Sequence, residues 1–249
     1  MSDEPIPAAT LVVVREGAAG EPPELLMVER ASGMAFAGGA LVFPGGRIDE
    51  ADRRHSLPLG YADGAARVAA IRETIEETAV AVGVEPQPSV DDALAMQGAL
   101  VDDRPFADLL DDSGLGLDLA ALVPFARWLP NFHVTRRFDT LFFIARAPAG
   151  DWQPNAIAGE CSGAFWLTAA EALERERSGD ARLIFPTRRN LERLALHSNF
   201  EAMRADAEAH PIDPITPWVE EFSGEKFVTI PADLGYPVTR ERLDSLWRG

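Results

Sequence analysis

Residues 64–82 read GAARVAAIRETIEETAVAV, and this stretch decides how the chain folds. Apolar side chains recur in it at spacings of three and four, which predicts an amphipathic helix from about Ala65 to Val82. The stripe that would face the core consists of Val68, Ile71, Ile75, Thr78 and Val82. Asp63 stands directly before it and is a candidate N-cap.

Three glutamates occupy a second face of this predicted helix. At about 100° per residue, Glu73, Glu76 and Glu77 fall within about 100° of one another, away from Ile71 and Ile75. Carboxylates this close repel unless a cation neutralises them, and Mg²⁺ and Mn²⁺ prefer oxygen ligands. The alternative at this point is a solvated acidic helix face.

The segments before the helix predict strands and then a loop. Thr10–Arg15 and Glu24–Arg30 are strand-like, and Ala40–Phe43 runs into Pro44-Gly45-Gly46-Arg47. Paired glycines allow close backbone approach. Residues 47–64 are polar and rich in turn formers, so we expect a loop there.

The segments after the helix predict further strands and then more helix. We expect strands at 123–129, 137–146 and 163–167, a helix from Thr168 to about Arg177, and a long helix from Pro186 to about Ala209. A strand-like KFVTI lies in the proline-rich tail. The order favours an α/β (α+β) fold, a mixed sheet sandwiched between helices with a C-terminal helical extension.

Composition excludes several functional classes. The 249 residues carry 23 Lys and Arg against 40 Asp and Glu, a formal charge of −17. Such a chain is unsuited to holding nucleic acid through phosphates. It also contains no apolar run long enough for a membrane span and no signal-like N-terminus, and its single cysteine, Cys161, fits a reducing compartment. We therefore expect a cytoplasmic protein with no nucleic-acid or membrane partner.

The glycine loop and the acidic helix together resemble the Nudix hydrolase signature, G-x5-E-x7-R-E-U-x-E-E-x-G-U, where U is aliphatic. Gly46 matches the first glycine, Arg72 and Glu73 match R-E, and Glu76 and Glu77 match E-E. Three departures stand out. Gly46 and Arg72 are 26 positions apart instead of 14, a 12-residue insertion; Gly64 stands eight positions before Arg72, where the first glutamate is expected, with Asp63 as a possible substitute; and Ala79 replaces the late glycine.

The long box resembles the branch of the peroxisomal acyl-coenzyme A diphosphatases. The segments Arg136–Phe143 and Glu160–Leu167 are similar to that branch as well. A separate coenzyme A motif of the family is matched in part, by Leu26, Arg30, Gly39 and Phe43-Pro44-Gly45-Gly46, but its second arginine is Ala35 here.

The resemblance implies a Mg²⁺- or Mn²⁺-dependent diphosphatase of coenzyme A or acyl-coenzyme A. Glu73, Glu76, Glu77 and the Gly46 carbonyl would hold metal, Arg72 would orient the carboxylates, and Glu73 or Glu160 would be the base. The expected phosphate-binding residues are Arg30, Arg47, Arg136 and Arg137. Cys161 is expected to be a buried structural thiol. Alternatives are a Nudix hydrolase of ADP-ribose or another nucleoside diphosphate derivative, and a non-catalytic Nudix ligand sensor.

The domain organisation follows from the same resemblance. We expect a Nudix hydrolase domain over 1–180, with insertions at about 49–64 and 85–121, and a helical extension over 181–249 packed on the same domain. The aspartate-rich segment 85–121 would be either a lid near the site or a solvated excursion.

Overall fold

The computed structural model describes residues 4–33, 37–130, 137–157 and 159–245. Its strands are β1 (Ile6–Arg15), β2 (Glu24–Arg30), β3 (Leu41–Val42), β4 (Gly45–Arg47), β5 (Val84–Glu85), β6 (Gly116–Leu117), β7 (Val123–Trp128), β8 (Phe138–Arg146), β9 (Cys161–Thr168), β10 (Pro214–Ile215), β11 (Trp218–Phe222), β12 (Glu225–Thr229) and β13 (Arg240–Arg242). Its α-helices are α1 (Glu50–Ser56), α2 (Gly64–Thr78), α3 (Val90–Val101), α4 (Phe106–Ser113), α5 (Ala169–Ser178), α6 (Phe185–Leu194) and α7 (Phe200–Ala209).

A mixed sheet forms the centre of the fold. Its path runs β10-β7-β8-β1-β2-β3, with β4 also paired to β1 and β9 also paired to β2. β1 and β8 are parallel, whereas β1 is antiparallel to both β2 and β4. The pairing of β4 with residues 8–10 of β1 places Gly46 opposite Ala9, close to the start of the central strand.

Helices cover both faces of this sheet, because alternate strand residues point to opposite sides. Val12 and Leu25 pack with Leu191 of α6 and Phe200 of α7 on one side. On the other side Leu11, Val13 and Leu26 pack with the α2 stripe and with α3 and α4. The predicted sheet sandwiched between helices is therefore confirmed.

Several boundaries differ from the sequence-based expectations. Residues 50–56 form α1 where we expected a loop, because Asp49 and Asp52 make a capping box that starts a helix. The long helix predicted from 186 to 209 is two helices, since Asn199 caps α7 separately. α2 ends at Thr78 and not at Val82.

The C-terminal extension is helical only as far as Ala209. The tail beyond forms β10, which joins the central sheet, and a separate antiparallel sheet of β11, β12 and β13. The strand-like KFVTI is part of this small sheet.

The predicted insertion 85–121 is a packed element. Residues Ala93, Met96 and Leu100 of α3 are buried, and α3 lies along α2. This packing argues against a solvated excursion, and a role as a lid stays a prediction. Within the described segments, no helix combines the length and apolar character that crossing a membrane requires.

Candidate metal and active site

The C-terminal half of α2 carries the acidic face beside β4. Ile71 and Ile75 are fully buried in the core, as predicted, and the three glutamates lie on a different face of the helix. Their side chains are nonetheless withdrawn from solvent: Glu73 is 17% exposed, Glu76 24% and Glu77 5%.

The glycine pair of β4 lies against two of these carboxylates. The Gly45 N–H donates to Glu77 Oε2 at 3.0 Å. A Cβ on Gly46 would lie 2.4 Å from the carboxyl carbon of Glu73. Any side chain at position 46 would therefore displace Glu73, which explains why this position needs glycine.

Arg72 is the cation at the centre of the acidic face. Its Nε and Nη2 donate to Asp52 at 3.0 Å each, and its Nη1 donates to Glu73 Oε1 at 2.9 Å and to Glu76 Oε2 at 3.2 Å. Burial disfavours the guanidinium charge, but the bond to Asp52 and the charges of Glu73 and Asp52 outweigh it and raise the pKa of Arg72. One arginine thus orients three carboxylates.

Sequence reasoning missed Asp52. This residue is 2% exposed and lies on α1, inside the segment we expected to be a loop. Counting forward from Gly46 finds it, because it stands six positions later, where the signature has its first glutamate. Asp63 does not substitute: its carboxylate accepts from Arg67 Nε at 2.7 Å and makes no N-cap bond.

The 12 additional residues therefore lie between Asp52 and Arg72, after the first acid of the signature. The whole segment between these two residues comprises the end of α1, a short 3₁₀ turn at Leu57–Leu59 and the start of α2. The helix ends normally: Ala79, in place of the signature's late glycine, adopts the left-handed conformation that favours glycine, with φ +56°.

Burial of the carboxylates shifts their protonation. It raises the pKa of Glu73 to about 7, with Arg72 opposing and Glu76 adding to the shift. It raises the pKa of Glu77 to about 8, and the charge of Glu73 adds to this. The pKa of Glu76 is also raised, chiefly by burial. Arg72 therefore does not fully balance these carboxylates, and a bound divalent cation would favour their charged forms.

Two further predicted residues reach the site from the edge where β2 meets β9. Arg30 Nη1 lies 4.0 Å from Glu77 Oε1, and Arg30 Nε is buried with no hydrogen-bond partner among the described residues. Glu160 is exposed, and its charge acts on Glu76 and Glu77. Its carbonyl accepts from the Ala31 N–H at 2.7 Å, which fixes it beside Arg30.

Of the remaining predicted residues, the structure describes Arg47, Arg137 and Cys161. The side chain of Arg47 is exposed, and its carbonyl accepts from Arg72 Nη2 at 3.1 Å. Arg137 directly precedes β8, and no contact ties its side chain to the glutamates in the described structure. Arg136 lies outside the described residues. Cys161 is buried as predicted, and burial raises the pKa of its thiol to about 12.

The donor set fits a divalent cation, although it is not a preformed cage. Across the described residues, no three Asp, Glu, His or Cys side chains converge as ready metal ligands. The reason is visible in the contacts: Arg72 holds Glu73 and Glu76, and Glu77 is turned to Gly45. Glu73, Glu76 and Glu77 nevertheless supply hard, buried oxygen donors with an excess of negative charge, as Mg²⁺ or Mn²⁺ requires.

Comparison with known proteins identifies the family. No model of a known protein family matches the chain. A crystal structure of a Nudix hydrolase from Alicyclobacillus acidocaldarius is 30% identical, with a TM-score of 0.69 over 82% of this chain and 97% of that one. The NUDIX domain of Shewanella oneidensis NrtR, complexed with ADP ribose, is 15% identical over 77% of this chain and 86% of that one, with a TM-score of 0.46. On the first of these likenesses, the chain belongs to the Nudix hydrolase family.

Proposed function

We propose that the protein is a metal-dependent diphosphatase that hydrolyses coenzyme A or acyl-coenzyme A. The observation that carries the hydrolase assignment is the group of largely buried carboxylates on α2: Arg72 orients Glu73 and Glu76, and the Gly45 N–H holds Glu77. Family membership supports a hydrolase of diphosphate bonds.

Glu73, Glu76, Glu77 and the carbonyl of Gly46 would hold Mg²⁺ or Mn²⁺ in this proposal. Bound divalent metal neutralises a diphosphate and lowers the pKa of a water nucleophile. Arg72 acts indirectly, because its bonds to Asp52 fix the guanidinium that in turn fixes Glu73 and Glu76. Such supporting contacts maintain ligand geometry.

The chemical step is addition of water to one phosphorus of the diphosphate. The bridging P–O bond breaks, and the proton of the water passes to a carboxylate. Glu73 and Glu160 are the two candidates for that base. Glu73 lies within the proposed metal-binding group, against Gly46, whereas Glu160 is exposed at its rim.

Arginine must hold the phosphates, since the chain carries a net charge of −17. Arg30 is the best placed, because it borders Glu77 and retains a buried Nε without a partner in the described structure. We assign Arg47, Arg136 and Arg137 to more distant phosphates. Coenzyme A has such a phosphate on its ribose, in addition to the diphosphate.

The coenzyme A assignment is supported by sequence features around this site. Leu26, Arg30 and Gly39 precede Phe43-Pro44-Gly45-Gly46 in the register of a coenzyme A motif. The 12-residue insertion between Asp52 and Arg72 is also a feature of the acyl-coenzyme A diphosphatase branch.

A substrate panel with Mg²⁺ and Mn²⁺, read by mass spectrometry, tests the proposal. It contains coenzyme A, short- and medium-chain acyl-coenzyme A, ADP-ribose, NADH and diadenosine polyphosphates, with chelator-treated reactions as controls. We expect adenosine 3′,5′-bisphosphate and a phosphopantetheine-type product from the coenzyme A compounds. Cleavage of ADP-ribose with intact coenzyme A thioesters would overturn the substrate, and no product from any compound would favour a ligand sensor.

A further inference from the structure

Gln97 is a buried amide that joins the insertion to the acidic end of α2. It lies on α3, is 4% exposed, and belongs to none of the motifs found in the sequence. Its Nε2 donates to the backbone carbonyl of Glu76 at 3.0 Å and to that of Asn155 at 2.8 Å. Its Oε1 accepts from Asn155 Nδ2 at 2.6 Å, so both ends of the amide are used.

These hydrogen bonds reach the C-terminal carbonyl groups of α2, which need donors from outside the helix. The last carbonyls of a helix have no intrahelical donor, and α2 ends at Thr78. Gln97 supplies a donor for the carbonyl of Glu76, and the Asn155 N–H supplies one for the carbonyl of Thr78 at 2.8 Å. Gln97 and Asn155 thus hold the turn that contains Glu76 and Glu77.

The same pair fixes the segment that leads to Glu160. Asn155 lies five residues before Glu160, which precedes β9. Another glutamine of the insertion also holds this segment: Gln87 exchanges two bonds with the backbone of Ala149, at 2.9 and 3.1 Å. Gln87 is exposed, and in the described structure its bonds do not involve α2, so it tethers the same segment without reaching the glutamates.

We propose that Gln97 is a positioning residue: it fixes the metal-binding turn of α2 relative to the segment that leads to Glu160. The inference rests on the proposed function only in taking Glu76 and Glu77 as metal ligands. It gives the insertion 85–121 a role in the site, although none of its side chains need touch substrate.

Gln97→Leu tests this proposal, because leucine keeps the size and removes every hydrogen bond. Mn²⁺ binding is measured directly, from the free-ion signal in electron paramagnetic resonance, alongside kcat and melting temperature. Loss of outer contacts to metal ligands typically weakens metal affinity about tenfold or more. We expect that loss for Gln97→Leu, together with a lower kcat on whichever compound the wild type cleaves.

Gln87→Leu is the matched control, since it frees the same segment without touching α2. We expect wild-type Mn²⁺ affinity from it. If Gln97→Leu binds Mn²⁺ like the wild type and only melts earlier, Gln97 is merely structural and the proposal fails. Equal weakening by both variants would also overturn it, because loose tethering of the segment would then suffice.

Asn155→Ala gives a second test that retains the Gln97 bond to Glu76 and serves if Gln97→Leu does not fold. We expect a measurable loss of Mn²⁺ affinity, about threefold, smaller than the loss typical of an outer contact. Unchanged affinity in that variant would count against the proposal. Because Mn²⁺ binding needs no substrate, weaker binding in a protein that cleaves nothing would support Gln97 while refuting the diphosphatase.

Discussion

The two halves of α2 hold their arginines in opposite ways. In the first half, Arg67 Nε donates to Asp63 at 2.7 Å, and its Nη1 donates to the carbonyls of Leu119 and Leu122 at 2.7 and 2.5 Å. One positive charge meets one negative charge there. In the second half, Arg72 is paired with three carboxylates, those of Asp52, Glu73 and Glu76, while Glu77 lies 4.0 Å from Arg30.

The difference separates a structural arginine from one in the proposed active site. Arg67 neutralises its surroundings and satisfies backbone carbonyls, which is what stability requires. The surroundings of Arg72 remain negative, and burial raises the pKa values of Glu73 and Glu77 to about 7 and 8. Perturbed pKa values of this kind are typical of functional sites.

The largest effect is expected from removing the excess negative charge of the second half. Glu76→Gln combined with Glu77→Gln should lower kcat by about 10²-fold or more, as when a key electrostatic group is lost. The metal-free variant should melt no earlier than the wild type at pH 8, because buried like charges are gone. Kinetics with Mg²⁺ and calorimetry measure the two quantities. Wild-type turnover would place the active site elsewhere.

Arg67→Met, in the first half of α2, should lower stability and leave kcat unchanged, the opposite of the effect expected from the double glutamate variant. The two carbonyls and Asp63 lose their partner, so we expect unfolding free energy to fall by about 2–4 kcal/mol. The kcat of the folded fraction should be unchanged. Denaturant titration measures the loss, and Arg54→Met, an exposed residue on α1, is the control that should cost nothing measurable. Equal costs for both variants would contradict this role of Arg67.

The stability of the metal-free protein should depend on pH because Glu73 and Glu77, in the second half of α2, titrate near neutral pH. Glu73 and Glu77 have folded pKa values near 7 and 8, above the ordinary 4.5, so the folded state binds more protons than the unfolded state between those limits. Stability should therefore fall as pH rises from 5 to 8, by on the order of 6 kcal/mol for the two groups together. Melting curves with a chelator follow it. Glu77→Gln should flatten the slope, and an unaltered slope would refute the assignment.

The smallest expected effect distinguishes the two aspartates. Asp52→Asn removes the charge that anchors Arg72, so we expect kcat/KM to fall about tenfold. Asp63→Asn, on the side of Arg67, should leave kcat/KM near the wild-type value. A larger loss from Asp63→Asn would restore it as the first acid of the signature.

Local patterns predicted much of the fold. The apolar stripe of α2 is buried as expected, and β2 has the predicted bounds, Glu24–Arg30. The face shared by Glu73, Glu76 and Glu77 also follows from helix geometry alone. These features depend on residues within a few positions of one another.

Features that depend on how distant segments meet were missed. The bond between Asp52 and Arg72 spans 20 positions, and it required α1 to fold back onto α2. α1 was mistaken for a loop because its residues are polar, although its capping box was readable. Gln97 carries no sequence signal at all, since its importance comes from which carbonyls the packing of α3 brings to it.

The 12 additional residues between Asp52 and Arg72 divide the signature into two parts that are separated by an exposed turn. Both partners are fixed by helices, while the 3₁₀ turn between them is open to solvent: Leu57 is 78% exposed, and Gly60 completes the turn with φ +74°. Exposed turns of this kind tolerate added residues. The stretch from Leu57 to Gly60 is therefore a suitable insertion site for an epitope or a reporter. The insertion would lie inside the signature, between Asp52 and Arg72, at a position that the short form of the signature does not contain.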